Sequence, residues 1–197
     1  FAKKLSGGGS LYAGTGGVFK RVNVDYNLFG KYRFSSKFSI DLSSYISTSK
    51  NQSGWAGDTT IAGNQVIYFS RRNVTSVENV MSIKYNFTNR MGLSLRTRHY
   101  WSKVDPKQFY ELDAYGKLQT PTIPFTKNVK QNYNYFSVDM VYNWQFAQGS
   151  FLSFVWKDIG TSFTREFEKN YSKNLSNTVS GDQLNSLSLK VIYFIDY

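Results

Sequence analysis

The stretch Leu187-Ser-Leu-Lys-Val-Ile-Tyr-Phe-Ile-Asp-Tyr197 carries Leu187, Leu189, Val191, Tyr193, Ile195 and Tyr197 at alternate positions. Side chains alternate across an extended strand with period two, so these six share one face while Ser188, Lys190 and Asp196 point the other way. A strand that is apolar on one face and ends on an aromatic ring at the membrane boundary is the mark of an outer-membrane β-barrel.

The same period recurs upstream. Val24, Tyr26, Leu28, Gly30, Tyr32 and Phe34 alternate with polar residues, and Phe38, Ile40, Leu42 and Ile46 follow after only Ser35–Lys37. Val77, Met81, Ile83, Tyr85 and Phe87 run into Thr88–Arg90, beyond which Met91, Leu93, Leu95, Thr97, His99 and Trp101 continue the pattern. Phe136 to Phe146, then Ala147–Gly149, then Leu152, Phe154 and Trp156 repeat the hairpin. Several of these strands run to about eleven residues, longer than the usual five or six of soluble sheets and matched to a tilted membrane strand. Tight turns at 35–37, 88–90 and 147–149 contrast with long polar connections at roughly 102–131 and 159–184, as periplasmic turns contrast with external loops. The expected fold is therefore all-β: an antiparallel up-and-down transmembrane β-barrel of outer-membrane type with seven to eight strands in this chain, its barrel strands spanning residues 22–197. Residues 1–21 are read as a glycine-rich N-terminal segment or an extra strand over Leu11–Arg21. Gln65–Arg72 reads as a short strand or loop hairpin above Val77–Phe87.

Composition narrows the class further. No run approaches the ~18 apolar residues of a membrane helix, so a membrane crossing has to be made by strands. The chain has no cysteine, which removes disulfides, thiolate metal sites and cysteine nucleophiles. The formal charge is +11, but its lysines and arginines are scattered and follow no nucleic-acid-binding pattern. No nucleic acid is expected as a partner; outer-membrane lipid and lipopolysaccharide phosphates are.

Parity alone does not say which face meets lipid, since a soluble lipocalin-like barrel shows the same alternation with its apolar face inward. Two features favour lipid outside. Tyr32, Phe34, Phe38, Tyr85, Phe87, Trp144, Phe146 and Tyr197 gather at one end of the apolar face, as an aromatic girdle does. The other face mixes acids with bases, including Lys31, Arg33, Lys84, Arg96 and Arg98, a basic set that could constrict a lumen or be neutralised within it.

Catalytic signals are thin. His99, the only histidine, shares the face of Leu95 and Trp101 near the external rim and is expected at headgroup level. A serine hydrolase needs a base beside its nucleophile, and no acidic residue lies near His99 in sequence. Asp58, Asp105, Asp113 and Asp182 lack a calcium-loop pattern. No catalytic, metal or cofactor site is assigned. Trp55, Phe109, Tyr110, Tyr115, Phe125, Phe163, Phe167 and Tyr171 are expected in loops, packing there or stacking on sugars.

In order and spacing, Gln65-Val-Ile-Tyr-Phe-Ser-Arg, Ser82-Ile-Lys-Tyr-Asn-Phe-Thr, Leu93-Ser-Leu-Arg, Phe109-Tyr-Glu-Leu, Asn134-Tyr-Phe-Ser-Val-Asp-Met-Val, Gly149-Ser-Phe-Leu-Ser-Phe-Val-Trp156 and the closing Leu187-Ser-Leu-Lys-Val-Ile-Tyr-Phe resemble a known family. It is the uncharacterised Bacteroidota outer-membrane barrel domain that follows a carbohydrate-binding-family-nine-like domain. The resemblance implies the C-terminal part of a larger barrel and carries over no catalytic residue. The expected function is a non-enzymatic outer-membrane anchor or scaffold, inserted by the barrel-assembly machinery and working with other outer-membrane or surface proteins. The alternatives are a pore or glycan-related transport protein and, last, a membrane-embedded lipid enzyme.

Overall fold

The computed structural model describes residues 4–195. Nine strands form one antiparallel sheet: β1 (Leu5–Gly16), β2 (Arg21–Arg33), β3 (Phe38–Ile61), β4 (Asn64–Thr88), β5 (Met91–Leu112), β6 (Leu118–Gln119), β7 (Gln131–Ala147), β8 (Ser150–Thr164) and β9 (Gln183–Ile192). Each strand pairs with the next, except that β7 adjoins β5 and the two-residue β6 pairs only with the far end of β5. One helix, α1 (Tyr171–Val179), lies between β8 and β9. No pairing joins β1 to β9 among the described residues, so the sheet is open and has two free edges.

The expectation of seven to eight strands is corrected to nine, and their lengths to 24, 25 and 22 residues for β3, β4 and β5. Gln65–Arg72 is not a separate hairpin but part of β4. The tip between β3 and β4 is the dipeptide Ala62-Gly63, both with positive φ (48° and 84°), as a two-residue hairpin turn of matching twist demands. The supposed loop 102–131 shrinks to residues 113–130, because β5 continues to Leu112, and the 159–184 loop is shortened by β8 and occupied by α1. At the N-terminus the strand is Leu5–Gly16, with Gly17 to Lys20 turning into β2.

Register shows what the alternation builds. Leu5, Tyr32, Ile40, Ile83, Leu95, Met140, Trp156 and Leu187 pair in succession, an apolar row across eight strands. One residue along, Lys31, Asp41, Ser82, Arg96, Asp139 and Lys157 pair in succession on the opposite face. The apolar face gives way to Thr48, Thr75, Lys103, Asn132 and Thr164, again in register. On β5 the apolar stretch thus runs from Met91 to Trp101, eleven residues. Asp158 and Asn185, themselves a register pair, interrupt it toward β9.

Loop 113–130 packs at the far end of the strands through Phe125, whose ring lies 4.9 Å from Tyr68 and 4.8 Å from Phe109. The Tyr68 hydroxyl donates to the Ile123 carbonyl at 3.1 Å, and Tyr68 is buried.

Candidate functional site

Two features stand out on the apolar face: an aromatic band near the tight turns and a helix-covered polar cluster about one strand-half away. The band consists of two runs of ring contacts. Tyr32 meets Phe34 at 4.6 Å between ring centroids, Phe34 meets Phe38 at 4.7 Å, Phe38 meets Tyr85 at 5.9 Å, and Tyr85 meets Phe87 at 4.8 Å. Phe87 reaches Tyr142 of β7 at 6.4 Å; a second run starts on the same strand, where Trp144 meets Phe146 at 5.8 Å, and continues to Tyr193, just past β9, which Phe146 meets at 6.3 Å. Tyr142 and Tyr193 extend the set foreseen from sequence. Tyr197 lies outside the described residues. Edge-on and offset geometries of this kind add to the burial of the rings themselves.

The helix is placed by polar rather than apolar contacts. Asn170 caps it, its side chain accepting from the Lys173 amide at 3.1 Å. Asn174 and Thr178, one turn apart, are buried against the sheet. The Asn174 and Asn134 side-chain amides bond reciprocally, Asn134 also donates to Ser162 Oγ at 3.2 Å, and the Ser162 and Thr178 hydroxyls lie 3.1 Å apart. At the other end Gln183 Nε2 donates to the Thr178 and Val179 carbonyls at 2.8 and 3.1 Å, satisfying groups that a helix terminus leaves open.

His99 is corrected by this helix. Instead of facing headgroups it is buried, 4% exposed, under Tyr171. The Tyr171 hydroxyl stands 2.8 Å from His99 Nδ1 and accepts from Asn79 Nδ2 at 2.7 Å. Trp101 flanks the trio, its ring 5.9 Å from that of Tyr171 and its Nε1 donating to Asn132 Oδ1 at 2.6 Å. A histidine with an amide and a phenol as neighbours lacks the carboxylate and nucleophile of a hydrolytic triad. Sequence reading missed the trio because its members are 20 and 72 residues apart.

The basic set on the opposite face is spread over successive rows rather than gathered at one constriction. Lys31 pairs with Asp41 at 3.1 Å and Arg98 with Glu78 at 3.0 Å. Arg96 sits in register between Ser82 and Asp139, and Asp139 lies 3.7 Å from Lys157. Arg33 and Lys84 both face Ser39, one row nearer the turns. Opposite charges thus alternate along the Lys31–Lys157 row, the favourable cross-strand arrangement. Of the aromatics expected in loops, Trp55, Phe109, Tyr110 and Phe163 belong to strands and Tyr171 to α1; Trp55 and Phe163 remain exposed.

No group of three or more His, Asp or Glu side chains able to hold a metal occurs among the described residues, and no helix among them is long and apolar enough to cross a membrane. No curated protein matches the chain. A family model described as a domain of unknown function, DUF5916, matches residues 2–197.

Proposed function

The chain belongs to this uncharacterised DUF5916 family, and from that premise we propose that it is a non-enzymatic component of a transmembrane β-barrel in a bacterial outer membrane, acting as anchor or scaffold. The observation that carries the reading is the apolar band. On β5 the apolar alternation runs over the eleven residues Met91 to Trp101, the ~9–11 residues with which a tilted strand crosses a bilayer, and its last two members, His99 and Trp101, lie under α1 at the far margin. The aromatic band lines one margin, beside the tight turns, and the Thr48–Thr164 row bounds the other. In this reading the free edges of β1 and β9 are joined in the membrane, to each other or through further strands, because an open edge has no hydrogen-bond partner in hydrocarbon.

The Bacteroidota setting and the carbohydrate-binding-like neighbour implied by the sequence resemblance would make the scaffold's cargo glycan-related. The partners then are outer-membrane lipid, lipopolysaccharide, the barrel-assembly machinery and surface proteins.

Because the natural chain lacks cysteine, single-cysteine labelling tests the reading cleanly. In lipid vesicles Leu95→Cys and Ile83→Cys should resist a water-soluble maleimide and react fully in urea, whereas a cysteine at Tyr115, which is 90% exposed, should react at once. Equal reactivity at all three sites in vesicles overturns it.

The alternating charges favour one second reading, a pore. The Lys31–Lys157 row holds three cations and two anions, and if the lumen is hydrated it would pass anions preferentially. Reproducible single-channel steps in a planar bilayer would replace the scaffold by a pore; electrical silence would leave the scaffold.

A further inference from the structure

Beside the tight turns, on the charged face, a pocket of about 650 Å³ opens between Lys37, Lys84 and Asn86 of β4, Arg90, and Asn143 of β7. Backbone contacts set its frame. The Asn86 amide donates to the Lys37 carbonyl and the Gln145 amide to the Arg90 carbonyl, each at 2.8 Å, so both turns are tied to a neighbouring strand. Asn86 pairs with Gly92, and a Cβ on Gly92 would stand 3.0 Å from Asn86 Oδ1, so the bare glycine makes room for that side chain. Lys84 sits two residues above this pair, about 7 Å along the strand, and Arg90 two residues below it.

What sets the pocket apart is charge without a counterpart. Three cations line it, and among the described residues no carboxylate does. Carboxylates of the described residues stand within 4.0 Å of Lys31, Arg98, Lys107, Lys157 and Lys173, and of none of these three. Register shows why. Lys31 lies opposite Asp41 and Lys157 opposite Asp139, whereas Lys84 has Ser39 on one side and Ser94 on the other. Lys37 Nζ donates to the Phe87 carbonyl at 3.2 Å, which anchors the ammonium and leaves it two protons.

Neighbouring cations repel one another, and a shared anion reverses the sign of that interaction. A phosphate monoester brings a charge of about −1.5 to −2 and three acceptor oxygens, and a guanidinium takes such oxygens in bidentate fashion. On the β7 and β8 side Val141 and the half-exposed ring of Phe151 add an apolar wall for a carbon skeleton.

We propose that this pocket binds a small, water-soluble phosphate monoester, its phosphate held by Lys37, Lys84 and Arg90 and its carbon skeleton laid against Val141 and Phe151. The preference for a soluble ester over a lipid headgroup rests on the membrane reading above, which turns this face to the lumen.

The test is calorimetric titration of the full chain, in zwitterionic detergent at low salt, with glucose 6-phosphate as the probe. Saturable binding is expected. Lys84→Met and Arg90→Gln should each weaken it by about tenfold or more, the effect of one lost charge-assisted hydrogen bond. Lys107→Met, at the far end of β5, should leave it unchanged. Ser94→Asp sets a carboxylate opposite Lys84, as Asp41 stands opposite Lys31, and should abolish binding, while Ser94→Asn retains it. Absence of binding, or binding indifferent to Ser94→Asp, overturns the site. Inorganic phosphate binding as tightly as the ester overturns the role of the carbon skeleton, and glucuronate doing so overturns the choice of phosphate. Much tighter binding of dihexanoyl phosphatidate would make the ligand a lipid headgroup and overturns the soluble ester. The maleimide pattern in vesicles reports on the membrane separately: if it holds and no ester binds, the site alone falls; if ester binds and the pattern is lost, the membrane reading alone falls.

Discussion

The Tyr171 hydroxyl stands 2.8 Å from His99 Nδ1, tying the helix to a strand residue 72 positions earlier. Because the same hydroxyl accepts from Asn79, one oxygen satisfies two side chains of the sheet.

Tyr171→Phe keeps the ring and removes that oxygen, leaving a buried imidazole and an amide unpaired. The expected cost is about 1–3 kcal/mol, the usual penalty for orphaned buried polar groups. Hydrogen exchange should show it first as lost protection in Tyr171–Val179. Unchanged protection there and an unchanged unfolding midpoint would mean that the hydroxyl does not hold the helix.

The start of α1 should respond to acid. The backbone amide of Asn170 and the Lys173 side chain, 2.9 and 3.1 Å from its oxygens, hold the Glu168 carboxyl below its ordinary value. A carboxylate whose folded value is depressed adds stability that is complete above its unfolded value and disappears as pH falls through the folded one. Exchange protection of α1, corrected for intrinsic rate, should therefore fall below the normal carboxylate range, and Glu168→Gln should abolish that pH step.

Two glycines of β1 should differ in their tolerance. A Cβ on Gly7 would stand 2.7 Å from the Phe29 carbonyl oxygen, so the backbone itself has to shift, whereas one on Gly16 meets nothing within 4 Å. Gly7→Ala should loosen β1 from β2, read as faster amide exchange over Val22–Tyr32. Gly16→Ala should leave exchange unchanged, and equal effects of the two would contradict this packing.

Asp139 and Lys157 are both well exposed, with side chains 42% and 56% accessible. A double-mutant cycle on Asp139→Asn and Lys157→Met should give a coupling of about 0.2–1 kcal/mol, the range of solvent-screened pairs. A coupling several times larger would mean that this face is closed to water.

The lower strands were legible because Leu93, Leu95 and their counterparts keep strict alternation beside short turns. The upper halves of β3 to β5 were not, since segments such as Ser47–Ser53 are polar at nearly every position and carry no period. The helix was hidden for a related reason. Its Asn, Ser and Thr residues are mediocre helix formers, and it docks through amides rather than an apolar stripe. The one sequence signal that could have marked its start is Asn170, a residue type favoured at helix N-caps. The His99 trio was invisible because its phenol comes from that unrecognised helix, and because an apolar neighbourhood near the external rim suggested a ring at headgroup level.

The two free edges impose a rule of parity. Every pairing along the path from β1 to β9 is antiparallel and the path holds eight strands, so β1 and β9 point in opposite directions. They can therefore be laced antiparallel directly to one another. Any intervening set that keeps the whole circuit antiparallel must contribute strands in even number, whatever molecule supplies them; a single added strand would have to run parallel to one of its two neighbours.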